Sequence, residues 1–171
     1  MRLVSLLPSA TEIVCQLGLE SQLVGISHEC DFPESIAHLP KVTSSSIGKD
    51  MQSRKVHESI QDILKNSLSV YDLDLNLLQG LKPDYLITQD LCDVCAVSLS
   101  QVEEACEKYL DGTAGIISLR PRKLPDIWDD VARVGDILGA KGPPTSFNRM
   151  WTGVFNIFSR RSNKPIRKRK T

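Results

Sequence analysis

Short apolar runs alternate with longer amphipathic ones along most of this chain. Residues 2–7, Arg-Leu-Val-Ser-Leu-Leu, read as a first strand. Pro8-Ser9-Ala10-Thr11-Glu12 then opens a helix. Ser9 and Glu12 have the spacing of a capping box, in which each side chain satisfies one orphan amide. Ile13, Val14 and Leu17 form the apolar face of that helix, and Gly18 ends it with a left-handed cap. Residues 23–27 read as a second strand, and Lys41-Val42-Thr43 as a short third one after Pro40.

Residues 53–68 place Val56, Ile60, Ile63, Leu64 and Leu68 at helical spacing. A shorter helix covers 74–81, and Lys82-Pro83-Asp84 turns into a strand over 85–88. Ser100 and Glu103 repeat the capping-box spacing and start a helix to about Leu110. Residues 115–119 are the last strand. Pro125, at a first helical position, opens a helix whose face is Ile127, Val131, Val134 and Leu138, and Gly139 closes it. Alternating strands and helices predict an α/β fold, a mostly parallel sheet with flanking helices and right-handed crossovers.

From Ala140 the pattern breaks. Gly142-Pro143-Pro144 reads as a linker, Met150, Trp151, Val154, Phe155, Ile157 and Phe158 as an apolar patch, and 159–171 as a polar, basic end. The formal charge of zero hides an asymmetry. Nine of the 21 Lys/Arg and none of the 21 Asp/Glu lie from Lys141 onward, so the first 140 residues hold 12 basic against 21 acidic residues. An acidic domain makes nucleic acid an unlikely partner except through the tail, where Arg167-Lys168-Arg169-Lys170 could serve nuclear import. The alternative is a terminus that needs no fold. The length of 171 residues suits one domain. No run approaches the roughly 20 apolar residues of a membrane helix, so no membrane insertion is expected. No secretory signal is recognisable, and five cysteines are an odd number. A cytoplasmic, reduced location is the expectation.

Candidate chemistry gathers after two strands, in Ser27-His28-Glu29-Cys30 and in Gln89-Asp90-Leu91-Cys92-Asp93-Val94-Cys95. In a parallel sheet, residues just past strand ends share one crevice, where open α/β folds bind ligands. Cys92 and Cys95 are a metal half-site, and His28 and Cys30 could complete a Cys₃His shell for zinc. The same pair could act as a thiol-redox couple, or simply pack at a strand end. Ser9 lies where the first strand meets its helix, a place that favours an anion or polar ligand group. There is no Gly-rich phosphate loop, so a nucleotide is not expected. No acid–base or nucleophilic constellation stands out, and no enzyme activity is expected.

Arg2-Leu3-Val4-Ser5-Leu6-Leu7-Pro8-Ser9-Ala10-Thr11-Glu12, with Leu17-Gly18 and Val24-Gly25, resembles the opening of the cobalamin- and iron-chelate-binding proteins of the periplasmic-binding class. Leu81-Lys82-Pro83-Asp84-Tyr85-Leu86-Ile87 is similar to a second motif of that family. The two polar clusters look like its cobalamin-binding or ABC-transporter substrate-binding subgroup. The resemblance covers Arg2 to Gly139. It implies two α/β lobes joined by a long helix, with ligand between them. Here it matches a single lobe, 1–122, and the connecting helix, 123–139, followed by a basic tail, 140–171. The chain therefore looks truncated, with its helix face Ile127, Val131, Val134 and Leu138 exposed and able to drive self-association. The resemblance implies a non-enzymatic lobe for cobalamin or another metal chelate, held by Ser9, His28, Glu29 and Asp90. His28 or a thiolate of Cys30, Cys92 or Cys95 would be the metal ligand. The alternatives are a small zinc or thiol-redox module and an inactive, incomplete isoform.

Overall fold

The structure, a computed structural model, describes residues 1–45, 71–90 and 97–140. Its strands are β1 (Leu3–Ser5), β2 (Leu23–Ile26), β3 (Thr43–Ser45), β4 (Tyr71–Leu73), β5 (Tyr85–Gln89) and β6 (Gly115–Leu119). Its α-helices are α1 (Pro8–Gln16), α2 (Leu75–Leu81), α3 (Leu99–Tyr109) and α4 (Leu124–Ile137). The expected helix over 53–68, Cys92 and Cys95, and the segment after Ala140 lie outside the described residues.

Four strands form a parallel sheet in the order β2-β1-β5-β6. Side chains alternate across it because the strand period is two. Leu3, Ile87, Ile117 and Leu119 face α1 and α4, where they pack with Ala10, Val14, Val131 and Val134. Val4 and Leu86 face the other way, onto Leu78 of α2 and Val102, Ala105 and Cys106 of α3. The result is three layers, helix on sheet on helix, with one core on each side of the sheet.

The expected third strand is displaced. Pro40 has no N–H to give, and its carbonyl instead accepts from the Ile26 amide at 3.0 Å. Val42 N–H returns to Ile26 O at 2.9 Å, leaving only an isolated parallel bridge between Ile26 and Lys41. The chain then turns away, and Thr43–Ser45 pairs antiparallel with β4 in a separate two-stranded sheet. The first strand is also shorter than expected, ending at Ser5.

Two helix starts differ from the expected capping boxes. Pro8 takes the first position of α1 with Leu7 as N-cap, and no side chain caps it. Proline suits that position because its φ is already helical and its missing N–H would have been an orphan. Ser9 therefore lies inside the first turn and is exposed. For α3 the box is made by Ser98 and Gln101, two residues before the expected pair. The choice follows from packing. Val97 and Val102 flank that box and are both buried in one core, a hydrophobic staple. The Ser100 register would put Glu104 in Val102's place.

Both expected glycine caps are present, with Gly18 at φ +75 and Gly139 at φ +66. Leu19 N–H bonds Val14 O and Ala140 N–H bonds Gly135 O, the pattern of a Schellman turn. The face of α4 expected to be open for self-association is instead turned into the core. Val131, Val134 and Leu138 are 5%, 0% and 7% exposed, because the sheet's α1 side needs an apolar cover there. Ile127 alone of that face is exposed.

Candidate ligand site

The order β2-β1-β5-β6 reverses direction between β1 and β5. From β1 the chain runs outward through α1 to β2, and from β5 outward through α3 to β6. Loops leaving the carboxyl ends of β1 and β5 part at that point and open a crevice. Ser9 follows β1, Asp90 follows β5, and His28 and Glu29 follow β2, so all four belong to the same edge of the sheet.

The β2 loop is held by β3 and β4. Thr43 Oγ1 accepts from the His28 amide at 3.0 Å, and its hydroxyl donates to Ser27 Oγ at 3.0 Å. Its one hydrogen is thereby committed, so His28 Nδ1, 2.7 Å away, is the donor in that contact. In a neutral ring this donation leaves the lone pair on Nε2. The His28 ring lies 5.5 Å from that of Tyr71, tilted by 45°. Tyr71 hydroxyl also donates to Glu29 Oε1 at 3.0 Å. The small antiparallel sheet therefore orients both His28 and Glu29.

Cys30 does not share that surface. It is 2% exposed, and its sulfur lies 3.1 Å from Thr11 Oγ1 in the α1-side core. Burial pushes its thiol pKa up, against the opposing effect of its hydrogen bond with Thr11. Among the described residues no three His, Cys, Asp or Glu side chains are grouped to hold a metal ion. Cys92 and Cys95, the other proposed ligands, are outside those residues.

At the far side of the edge, Asp90 pairs with Arg120 at 2.8 Å, and its amide bonds Leu119 O. Asp130, 7% exposed, accepts from the Arg120 amide at 3.1 Å and from Arg133 at 2.6 Å. Arg133 also reaches Ser118 O at 2.6 Å. The loop from β6 into α4 is thus fixed by a buried, paired carboxylate. Thr43, Tyr71, Arg120 and Asp130 were not singled out from sequence. Asp130 alone had a signal, being a charged residue beside the apolar stripe of α4.

No family model matches this chain, and no curated protein does. Solved structures do. The periplasmic heme-binding protein HutB of Vibrio cholerae superposes with a TM-score of 0.60 at 18% identity, covering 98% of this chain and 51% of that one. The periplasmic vitamin B12-binding protein BtuF of Vibrio cholerae gives 0.54 at 19%, over 79% of this chain and 40% of that one. The chain has the fold of these periplasmic binding proteins. A periplasmic heme-binding protein of Pseudomonas aeruginosa gives 0.53 at 24%, over 81% and 38%. The chain thus spans about half or less of the length of each of these binding proteins.

Proposed function

We propose that this chain is a non-enzymatic ligand-binding lobe for a metal chelate, a corrinoid or heme-like macrocycle, held at the carboxyl edge of its parallel sheet. The observation that carries the reading is the reversal of strand order between β1 and β5, with Ser9 and Asp90 on the two loops that part there. His28 and Glu29 border the same edge. Two of the similar structures are named for binding heme and one for vitamin B12, which supports the ligand class.

His28 is the residue we assign to the metal. With Nδ1 donating to Thr43, its Nε2 has the lone pair that a metal ion requires. Glu29, steadied by Tyr71, and Asp90, steadied by Arg120, would meet polar groups on the macrocycle rim. The Cys30 thiol is committed to the core and has no part in this reading.

Titration of the full chain with cobalamin and, separately, hemin tests it. Saturable micromolar binding with a shifted visible spectrum is expected for one of the two. His28→Ala should weaken that binding about tenfold, the effect of losing one metal contact. An unchanged spectrum with both macrocycles at high concentration overturns the reading.

A further inference from the structure

Five serine and threonine side chains are buried among the described residues: Ser5, Thr11, Ser27, Thr43 and Thr88. Thr11 donates to Ser5, and Thr43 to Ser27. Thr88 is different. It is 0% exposed, and its hydroxyl has no hydrogen-bond partner. Ser118 Oγ is also closed to solvent and also has none. The two residues stand directly opposite each other in the β5–β6 ladder.

Their place on the sheet follows from the strand period of two. Leu86 and Ile116 pack into the core on the α2 and α3 side. Thr88 and Ser118 stand two residues further on, so they share that face, one step nearer the carboxyl edge. Asp90 and Arg120 come two residues later still, and their ion pair at 2.8 Å spans the same two strands. The ladder persists that far, since the Asp90 amide bonds Leu119 O. Two orphan hydroxyls thus lie side by side between an apolar layer and an ion pair.

We propose that Thr88 and Ser118 hold one internal water molecule, which ties β5 to β6 beneath the Asp90–Arg120 pair. A buried hydroxyl without a partner loses its hydration and gains nothing in return, whereas a valine has the same shape and no such loss. Two orphans on adjacent strands share one remedy. Neighbouring strands lie about 4.8 Å apart. A water at ordinary hydrogen-bond length from two hydroxyl oxygens bridges a gap of up to about 5.5 Å. Each hydroxyl both gives and accepts, which suits the two to four bonds of a buried water.

Other occupants fit the chemistry worse. Both oxygens are closed to solvent, so an organic group has no path to them. Two neutral hydroxyls supply no charge for a metal ion, and no metal-holding group of His, Cys, Asp or Glu is present among the described residues. A bridging water is nearly as good a link as a direct hydrogen bond. It would fix the ends of β5 and β6, and with them Asp90, whichever ligand the edge takes.

The test uses the full chain with Thr88→Val, Ser118→Ala and the pair combined. Oxygen-17 relaxation dispersion of the solvent counts waters of long residence and does not see hydroxyl protons exchange. Its amplitude should fall by the equivalent of one water in each variant and no further in the double one. Thr88→Ser, which keeps the hydroxyl, should keep that amplitude. Urea midpoints should fall for each single variant, and the double variant should lose less than the sum, because the two side chains serve one water. A higher midpoint for Thr88→Val would mean a dry orphan and overturn the proposal. So would additive losses, or a coupled loss with unchanged oxygen-17 amplitude, which would assign a direct bond between the two hydroxyls.

Discussion

Thr11 Oγ1 lies 3.1 Å from Cys30 Sγ and donates to Ser5 Oγ at 2.8 Å. The contact ties α1 to the end of β1 and to the loop after β2. All three side chains are buried, so each polar group depends on the others. Thr11→Val should cost about 1–2 kcal/mol in urea unfolding, since it leaves Ser5 short of a donor. Thr11→Ser should retain most of the stability. A larger loss for Thr11→Ser than for Thr11→Val would mean that the methyl group, rather than the hydroxyl, matters.

Gly115 sits opposite Tyr85 in the β5–β6 ladder, and the tyrosine ring lies over it. A Cβ at Gly115 would come within 2.6 Å of Tyr85 Cε1. Gly115→Ala should therefore destabilise by about 1–3 kcal/mol, the usual cost of overpacking. Tyr85→Ala in the same chain should remove most of that penalty. Additive losses in a double-mutant cycle would show that the clash is not the cause.

Val134 is fully buried between α4 and the sheet. Val134→Ala should cost about 2 kcal/mol, from lost apolar burial and the cavity left behind. A change below about 0.5 kcal/mol, the range of ordinary surface substitutions, would mean that α4 is not docked on this lobe.

Alkaline pH should weaken the fold through Cys15. Burial, with help from the nearby Glu20 carboxylate, pushes its thiol from an ordinary 9.0 up to about 11. A raised folded-state value means that the folded protein holds the proton more tightly. The stabilisation is then fully present below pH 9 and is lost as pH rises towards 11. Urea midpoints between pH 8 and 11 should fall, and Cys15→Ala should flatten part of that fall. A slope unchanged by the substitution would assign it to other groups.

Element types were legible wherever the pattern was long. The faces of α1 and α4 follow directly from Val14, Leu17, Val131 and Val134, and the glycine caps from Gly18 and Gly139. What was hidden depends on tertiary choice. Two S-x-x-E/Q pairs overlap at the start of α3, and only the burial of Val97 with Val102 selects between them. β4 is three residues long, too short for its alternation to register. Lys41 can look like a strand residue, yet Pro40 limits that segment to a single bridge.

The site was legible as a set of strand ends, and its chemistry was not. His28 was visible, but the tautomer that suits it to a metal comes from Thr43, 15 residues on. Cys30 looked like a ligand because it adjoins His28 in sequence. Its side chain turns inward to Thr11, a partner that spacing along the chain does not reveal.

The place of β1 in the sheet has a consequence for how the protein is made. β1 is made before both of its neighbours, β2 and β5, and Leu3 pairs with Tyr85 across a stretch of 82 residues. Closing so long a loop costs chain entropy that local contacts cannot offset early. On a ribosome, β1, α1 and β2 can associate at once, but the other edge of β1 stays unpaired until β5 emerges. Changes to β1 therefore perturb the middle of the sheet rather than its margin. Nascent chains halted before residue 85 should be the ones that engage chaperones.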